Sequence, residues 1–336
     1  MTKPLRWGIL STANIGVQKV IPAIQQDARS IVTAICSRSL DSARSTADKL
    51  GIEKAYGSYE ALLADPEIDA IYNPLPNHLH VPWTLKALEA GKHVLCEKPI
   101  ALNTEEAQQL ITAREQSGKL VAEAFMVRFH PQWLRAREIV RSGLLGEVRA
   151  IQTAFSYFND NPDNVRNRAD IGGGGLYDIG CYAVATARFV LDAEPEKVIG
   201  AFDFDPNFGT DRLCSGLVRF PGNRQLSFAC STQMVPYQRV QIFGSKGRLE
   251  VQIPFNAPPD QPVRLFIDTG SDLYGGGIRV EEIPAVDQYT LQANAFATAI
   301  LDQQPWLYPI EDAIQNMRVI DALFRSAKTE AWESPC

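Results

Sequence analysis

Several things are missing from this chain of 336 residues, and each absence narrows what it can be. No apolar run approaches the roughly 20 residues that a membrane-spanning helix needs. The six cysteines, Cys36, Cys96, Cys181, Cys214, Cys230 and Cys336, show no C-x-x-C and no zinc-like spacing. Reduced thiols are therefore expected rather than a disulfide framework. Of four histidines, His78 and His80 form an H-x-H, while His93 and His130 stand in other elements without a carboxylate cluster, so no metal site is expected. No block of like charge occurs, and a formal net charge of −6 argues against capture of nucleic acid or an anionic membrane. Repeats and low-complexity segments are absent too. MTKPLRWGIL reaches its first apolar strand within a few residues, which leaves no room for a signal peptide and points to the cytoplasm. With 45% hydrophobic residues, the remaining class is a globular protein whose partners are small molecules.

The length predicts two domains. Over residues 1–125 strand-like and helix-like segments alternate, the pattern of an α/β domain with a doubly wound parallel sheet. LRWGIL, SIVTAICS, DAIYNP, HVLCEK and KLVAEAF are apolar runs without polar alternation, as strands buried on both faces require. Ser39 and Gly51 bracket one helix, and Asn103 with Glu106 forms a capping box that opens another. From residue 126 to 336 the texture is α+β. VRAIQTAFSYF, KVIGAFDFD, RLCSGLVRF, QLSFACST, RVQIFG, GRLEVQIP, VRLFID and IRVEEIP predict a large, mostly antiparallel sheet, with FGSKGRLEV as a hairpin. One helix is expected over about 174–191, and two more over about 288–303 and 311–329. Strands outnumber the helices available to cover both faces, so Val240, Ile242, Leu249 and Val251 are expected on an uncovered face through which two copies pair.

The G-x-G-x-x-G slot after the first strand reads Ser11-Thr12-Ala13-Asn14-Ile15-Gly16, keeping only the third glycine. Ser11 and Ala13 are small enough for the backbone to approach a pyrophosphate, and the following helix start offers its N–H groups. The second strand ends in Ser37-Arg38 rather than in an acid. A hydroxyl and a guanidinium suit a ribose 2′-phosphate, so NADP(H) is the expected cofactor. Further on, Lys98 ends the strand-like HVLCEKP, and Asp178 and Tyr182 stand at i and i+4 on one helix face. Such a lysine and such a pair suit proton transfer beside a hydride, the chemistry of a dehydrogenase.

Ser11 to Gly16, Asn73-Pro74-Leu75-Pro76-Asn77-His78, Glu97-Lys98-Pro99 and Asp178-x-Gly180-x-Tyr182, in this order, resemble the Gfo/Idh/MocA oxidoreductases over the whole chain. GILSTANIG and D-x-G-C-Y resemble the branch with D-xylose dehydrogenases and dihydrodiol dehydrogenases. Many relatives carry histidine where this chain has Tyr182. The resemblance implies that Lys98 and Tyr182 stand near the substrate hydroxyl or carbonyl with Asp178 beside them, Asp178 either orienting the pair or binding a sugar hydroxyl. With the residue readings above, the expected cofactor contacts are Ser11, Thr12, Ala13, Asn14, Ile15, Ser37, Arg38, Pro74, Leu75, Asn77, His78, Glu97, Lys98 and Arg128. The irregular segment 159–175 supplies Asn164, Arg166 and Arg168, of which Asn164 and Arg168 are taken as substrate-binding with Lys98, Asp178 and Tyr182. The expected activity is NADP(H)-dependent hydride transfer at a CH–OH or C=O group of a carbohydrate-like substrate, with D-xylose as first guess, in a homodimer. Alternatives are a trans-dihydrodiol dehydrogenase, a ketosugar reductase, a sugar–sugar oxidoreductase that retains its nucleotide and, in another class, a non-catalytic NADP(H)-sensing regulator.

Overall fold

The computed structural model describes residues 3–335, so Cys336 lies outside the described residues. The chain forms two compact units, one running up to Met126 and resumed by Gln288–Ile314, the other comprising Val127–Asp287 and the segment from Gln315.

In the first unit, β1 (Leu5–Leu10), β2 (Ser30–Cys36), β3 (Lys54–Tyr56), β4 (Ala70–Asn73), β5 (His93–Cys96) and β6 (Val121–Glu123) form one sheet in the order β3-β2-β1-β4-β5-β6. Every pairing is parallel, which demands crossover helices and explains the unbroken apolar runs. The helices end where the local chemistry says they should. Ser39 accepts from the Ser42 amide ahead of Leu40–Leu50, and Gly51 closes that helix at φ 66°. Asn103 accepts from Glu106 at 2.8 Å ahead of Thr104–Ser117, while the Glu106 carboxylate reaches back to the Leu102 amide. Each such cap is worth about 1 kcal/mol.

The continuous second domain expected over 126–336 is interrupted, because Gln288–Ile314 packs with the first unit. Phe296, fully buried in the helix Gln288–Leu301, lies 5.1 Å from the Trp7 ring, and Ala293 and Ala297 join the same core. Arg29 grips Asp302 with both guanidinium ends. The apolar face of this helix is legible in the sequence, but nothing local says which sheet it covers.

In the second unit, β7 (Val148–Phe158), β8 (Lys197–Phe204), β9 (Asp211–Phe220), β10 (Arg224–Ser231), β11 (Gln233–Gly244), β12 (Arg248–Val251), β13 (Val263–Asp268) and β14 (Ile278–Ile283) form a sheet in the order β14-β13-β12-β11-β7-β10-β9-β8. Only β7 and β10 run parallel, and FGSKGRLEV is the β11–β12 hairpin. Val240, Ile242, Leu249 and Val251 depart from expectation: all are at most 1% exposed. They point with Ile151 and Phe155 toward the helical side, where Trp133 and Phe255 also pack. Strand alternation reveals that one face is apolar, not that a helix covers it. The opposite face carries Gln241 and Arg239, both engaged with Glu250.

The helix expected over 174–191 is two pieces, a π-helical turn Leu176–Gly180 followed by the α-helix Cys181–Leu191. Gly180 accounts for the close approach of this turn to the sheet. A Cβ there would lie 2.8 Å from Cys230 Sγ and from Leu176 Cδ1. Single π turns inside helices recur at functional sites.

Candidate active site

The first unit gathers one set of groups at the carboxyl ends of its parallel strands, where open α/β sheets bind ligands. Ser11 follows β1 with φ 72°, the left-handed conformation that the first glycine of the slot usually provides, and its Oγ accepts from the Ala13 amide at 3.2 Å. Thr12 and Ala13 lead into the helix, which begins at Asn14 and Ile15, so the first-turn amides face outward without helical acceptors. Gly16, read as the glycine of closest packing, lies only in ordinary contact range of Tyr72 and Pro74. The tight approach belongs to Gly8, where a Cβ would meet Leu62 at 2.8 Å. After β2, the Ser37 amide bonds Tyr56 O at 3.1 Å. Arg38 is exposed, and among the described residues no carboxylate pairs with it.

After β4, the buried Asn73 amide group donates to His80 O and Thr84 Oγ1, while its oxygen accepts from the Leu75 amide, fixing the turn through Pro74. Asn77 and His78 open the short helix Asn77–Leu79, and His78 Nδ1 is buried with no hydrogen-bond partner among the described residues. His80 lies between the carbonyls of Leu75 and Pro99, 2.7 Å from each. It thereby couples the β4 turn to the tripeptide after β5. Burial pushes its imidazole down to about 4 against the pull of both carbonyls. In that tripeptide, the Glu97 amide bonds Asn73 O and Glu97 Oε1 accepts from Tyr72 Oη at 2.7 Å. Burial, with the Glu97 charge beside it, drives the Tyr72 phenol well above its usual range. Lys98 is half-buried and precedes a cis peptide bond to Pro99.

The second unit holds the other set. Asp178, in the π turn, accepts from Tyr157 Oη at 2.6 Å and pairs with Arg166 Nε at 2.8 Å. Burial and the carboxylate raise the Tyr157 phenol, so it stays a neutral donor. Tyr182 is 6% exposed in the first turn of the α-helix, with Phe155 and Phe255 rings 6.0 and 5.3 Å from its own. Asn164 caps the short turn Val165–Asn167 by accepting from the Arg166 amide. Arg168 is exposed and forks onto Asp170 at 2.6 Å. Of the polar residues in the irregular segment, Arg166 is the one whose guanidinium pairs with Asp178. Arg128 is 5% exposed in the turn Met126–Phe129.

Three residues of these clusters escape sequence reasoning: Tyr72, His80 and Tyr157. Tyr157 shares the parity of Phe155 on β7 and is legible in hindsight as facing the helices. Tyr72 and His80 lack a local signal, since Glu97 and Pro99, which they bond, come from the tripeptide after β5.

Comparison with known proteins follows the same division. The family described as oxidoreductase family, NAD-binding Rossmann fold, matches residues 5–125, and the GFO/IDH/MocA C-terminal domain matches residues 133–250. An uncharacterised oxidoreductase from Rhizobium meliloti is 47% identical over 330 residues, covering 98% of this chain and 99% of that protein. D-xylose 1-dehydrogenase (NADP(+)) 2 from Haloferax volcanii is 38% identical over 330 residues, covering 97% and 98%. Among solved structures, a 3-ketoreductase from Actinomadura kijaniata in complex with NADP and TDP-benzene superposes with a TM-score of 0.91 at 29% identity, covering 96% of this chain and 98% of that one. With both of its domains matched and its length shared with these relatives, the chain belongs to the Gfo/Idh/MocA family of oxidoreductases.

Proposed function

We propose that this oxidoreductase transfers a hydride between NADP(H) and a CH–OH or C=O carbon of a sugar-like substrate, with D-xylose oxidised at C1 as the first candidate. The observation that carries the reading is Asp178, a carboxylate clamped by Arg166 and Tyr157 one turn ahead of Tyr182 in an aromatic wall. A fixed polar cluster in an otherwise apolar surround is what orients a polyhydroxy substrate.

The dinucleotide fits the residues after β1, β2 and β4. Ser11 supplies the turn, the helix start supplies amides for the pyrophosphate, and His78 Nδ1 offers a buried polar atom that has no partner among the described residues. Arg38, which no carboxylate pairs among the described residues, suits a 2′-phosphate. Pro74, Leu75, Asn77, Glu97 and Arg128 complete the proposed cofactor contacts. When bound, the nicotinamide supplies or accepts the hydride at C4.

The chain's own residues handle the proton. In the oxidative direction the substrate hydroxyl proton passes to Tyr182 as the hydride leaves the same carbon. A phenol with a pKa near ~10 is a poor base at neutral pH unless an ammonium stabilises its phenolate, the role given to Lys98. Asp178 holds a substrate hydroxyl or orients Tyr182, with Asn164 and Arg168 as further substrate contacts. The A. kijaniata 3-ketoreductase has been crystallised with a tyrosine changed to phenylalanine and with a lysine changed to alanine, two positions separated by the same interval as Lys98 and Tyr182. That similarity favours a ketosugar reductase as second reading. A homodimer in a reducing compartment completes the proposal, in keeping with five free and buried cysteines.

The test is a screen of aldoses, inositols and diols for NADP reduction, followed by Tyr182→Phe and Lys98→Met on the best substrate. Each should lower turnover by ~10²–10⁴ while NADPH still binds, and the double variant should be little worse than the worse single one. Near-normal turnover of Tyr182→Phe would overturn the assignment, and no reduction of NADP by any sugar would overturn the substrate class.

A further inference from the structure

Asp211 opens β9 with its side chain 2% exposed, and among the described residues no cation pairs with it. Its Oδ2 accepts from the Leu176 amide at 2.6 Å, and the amides of Gly175 and of Asp211 itself are also turned toward the carboxylate. Leu176 begins the helix that carries Asp178 and Tyr182, and that helix has no side-chain cap from its own N-terminal neighbour, Gly175. The first amides of a helix lack internal acceptors. Asp211 therefore does from a neighbouring strand what an N-cap residue does locally.

The glycines before the helix make room for this carboxylate. A Cβ on Gly174, at φ 120°, would lie 1.9 Å from Asp211 Oδ1, and one on Gly173 would lie 2.5 Å from Arg166 O. The same arch is tied to the clamp on Asp178. The Gly174 amide donates to Arg166 O at 2.9 Å, Gly174 O accepts from the Asp178 amide at 3.1 Å, and the Arg166 guanidinium pairs with Asp178. Capping alone does not require this arrangement, because a buried Asn or Ser caps a helix without the penalty of an unpaired buried charge.

We propose that Asp211 is a positioning residue, setting from β9 the orientation of the turn that presents Asp178 and Tyr182 without itself touching substrate. The proposal rests on the reading of Asp178 and Tyr182 given above.

The experiment compares Asp211→Asn, Asp211→Ala and Gly174→Ala with Tyr182→Phe, using D-xylose and NADP or the better substrate from the screen. Asp211→Asn keeps one acceptor for the Leu176 amide and should lower kcat about tenfold, whereas Asp211→Ala should lower it about a hundredfold, the scale of an ångström-level misplacement. Gly174→Ala, whose methyl must dislodge the carboxylate, should match Asp211→Ala. The KM for substrate should rise in all three, and the NADPH dissociation constant by fluorescence should stay within about twofold. A folded Asp211→Asn protein with wild-type kcat and KM overturns the proposal. So does a loss of activity that merely tracks the folded fraction, or failure of all three variants to fold, since each makes Asp211 a residue of the fold alone. If Tyr182→Phe keeps its turnover, the reading of the site fails first. If Tyr182→Phe is inactive and Asp211→Asn fully active, only the positioning role fails.

Discussion

Replacing Asp211 by Asn should change how the stability of the second unit depends on pH. The carboxyl is buried beside Asp178, with no cation paired to it among the described residues, and burial first, then the Asp178 charge, raise it from 3.8 to about 7 although three amides pull the other way. Between those two values the folded chain binds a proton that the unfolded chain has released. Stability contributed by this group is therefore fully present below pH ~4 and is lost as pH rises through about 7. The whole difference is roughly 4 kcal/mol, more than half of which falls between pH 5 and 8. Asn has the same shape and does not titrate, but it leaves amide donors without an acceptor, a loss of about 1–3 kcal/mol at every pH. The variant should thus be level with or below wild type at pH 5 and should gain on it by a few kcal/mol by pH 8. Urea unfolding at half-unit pH steps is the assay, with hydrogen exchange in the helix Cys181–Leu191 as the local probe, because two units can unfold in separate steps. Stability curves that run parallel from pH 5 to pH 8 would refute the reasoning. A variant that gains stability at pH 8 while losing turnover would separate positioning from folding at one residue.

Arg38→Asp should weaken NADP binding about ten- to a hundredfold, the worth of a charge-assisted contact, and leave NAD unaffected or improved by titration calorimetry; equal affinity of wild type for both nucleotides would count against Arg38. Arg166→Met should lower kcat more than Arg168→Met, because Arg166 neutralises Asp178 while Arg168 is taken up by exposed Asp170; equal effects would remove Arg166 from the cluster. Phe296→Ala should destabilise the first unit by about 3–5 kcal/mol in urea unfolding, since it empties a fully buried site against Trp7; a change below about 1 kcal/mol would mean that Gln288–Leu301 contributes little to that core. Light scattering at micromolar concentration should give the mass of a dimer, formed through the sheet face that carries Gln241 and Glu250 rather than the buried Val240 and Ile242; a monomer mass would end the dimer proposal.

Much of the architecture was legible in residue order alone, because its causes are local. Unbroken apolar runs separated by capped helices demand a parallel sheet, and Ser39, Gly51, Asn103 and Glu106 mark helix ends through contacts a few residues away. Alternating runs after residue 147 likewise demand a mostly antiparallel sheet. The order of the motifs, from Ser11 through Glu97-Lys98-Pro99 to Asp178 and Tyr182, was enough to identify the family. What tertiary structure alone decided depends on partners distant in sequence. Alternation could not say that Val240 and Leu249 face helices, and an amphipathic pattern could not say that Phe296 returns to Trp7. Composition placed Asn164, Arg166 and Arg168 in one polar segment, but only the path of the chain through Gly173 and Gly174 directs Arg166 onto Asp178 and leaves Arg168 to Asp170. Asp211 carried no local mark, since the helix it caps begins 35 residues earlier and the two meet only when β9 is laid into the sheet. Short-range hydrogen bonds and burial periodicity are written in neighbouring residues, whereas the pairing of one buried charge with one helix end exists only once the sheet has brought them together.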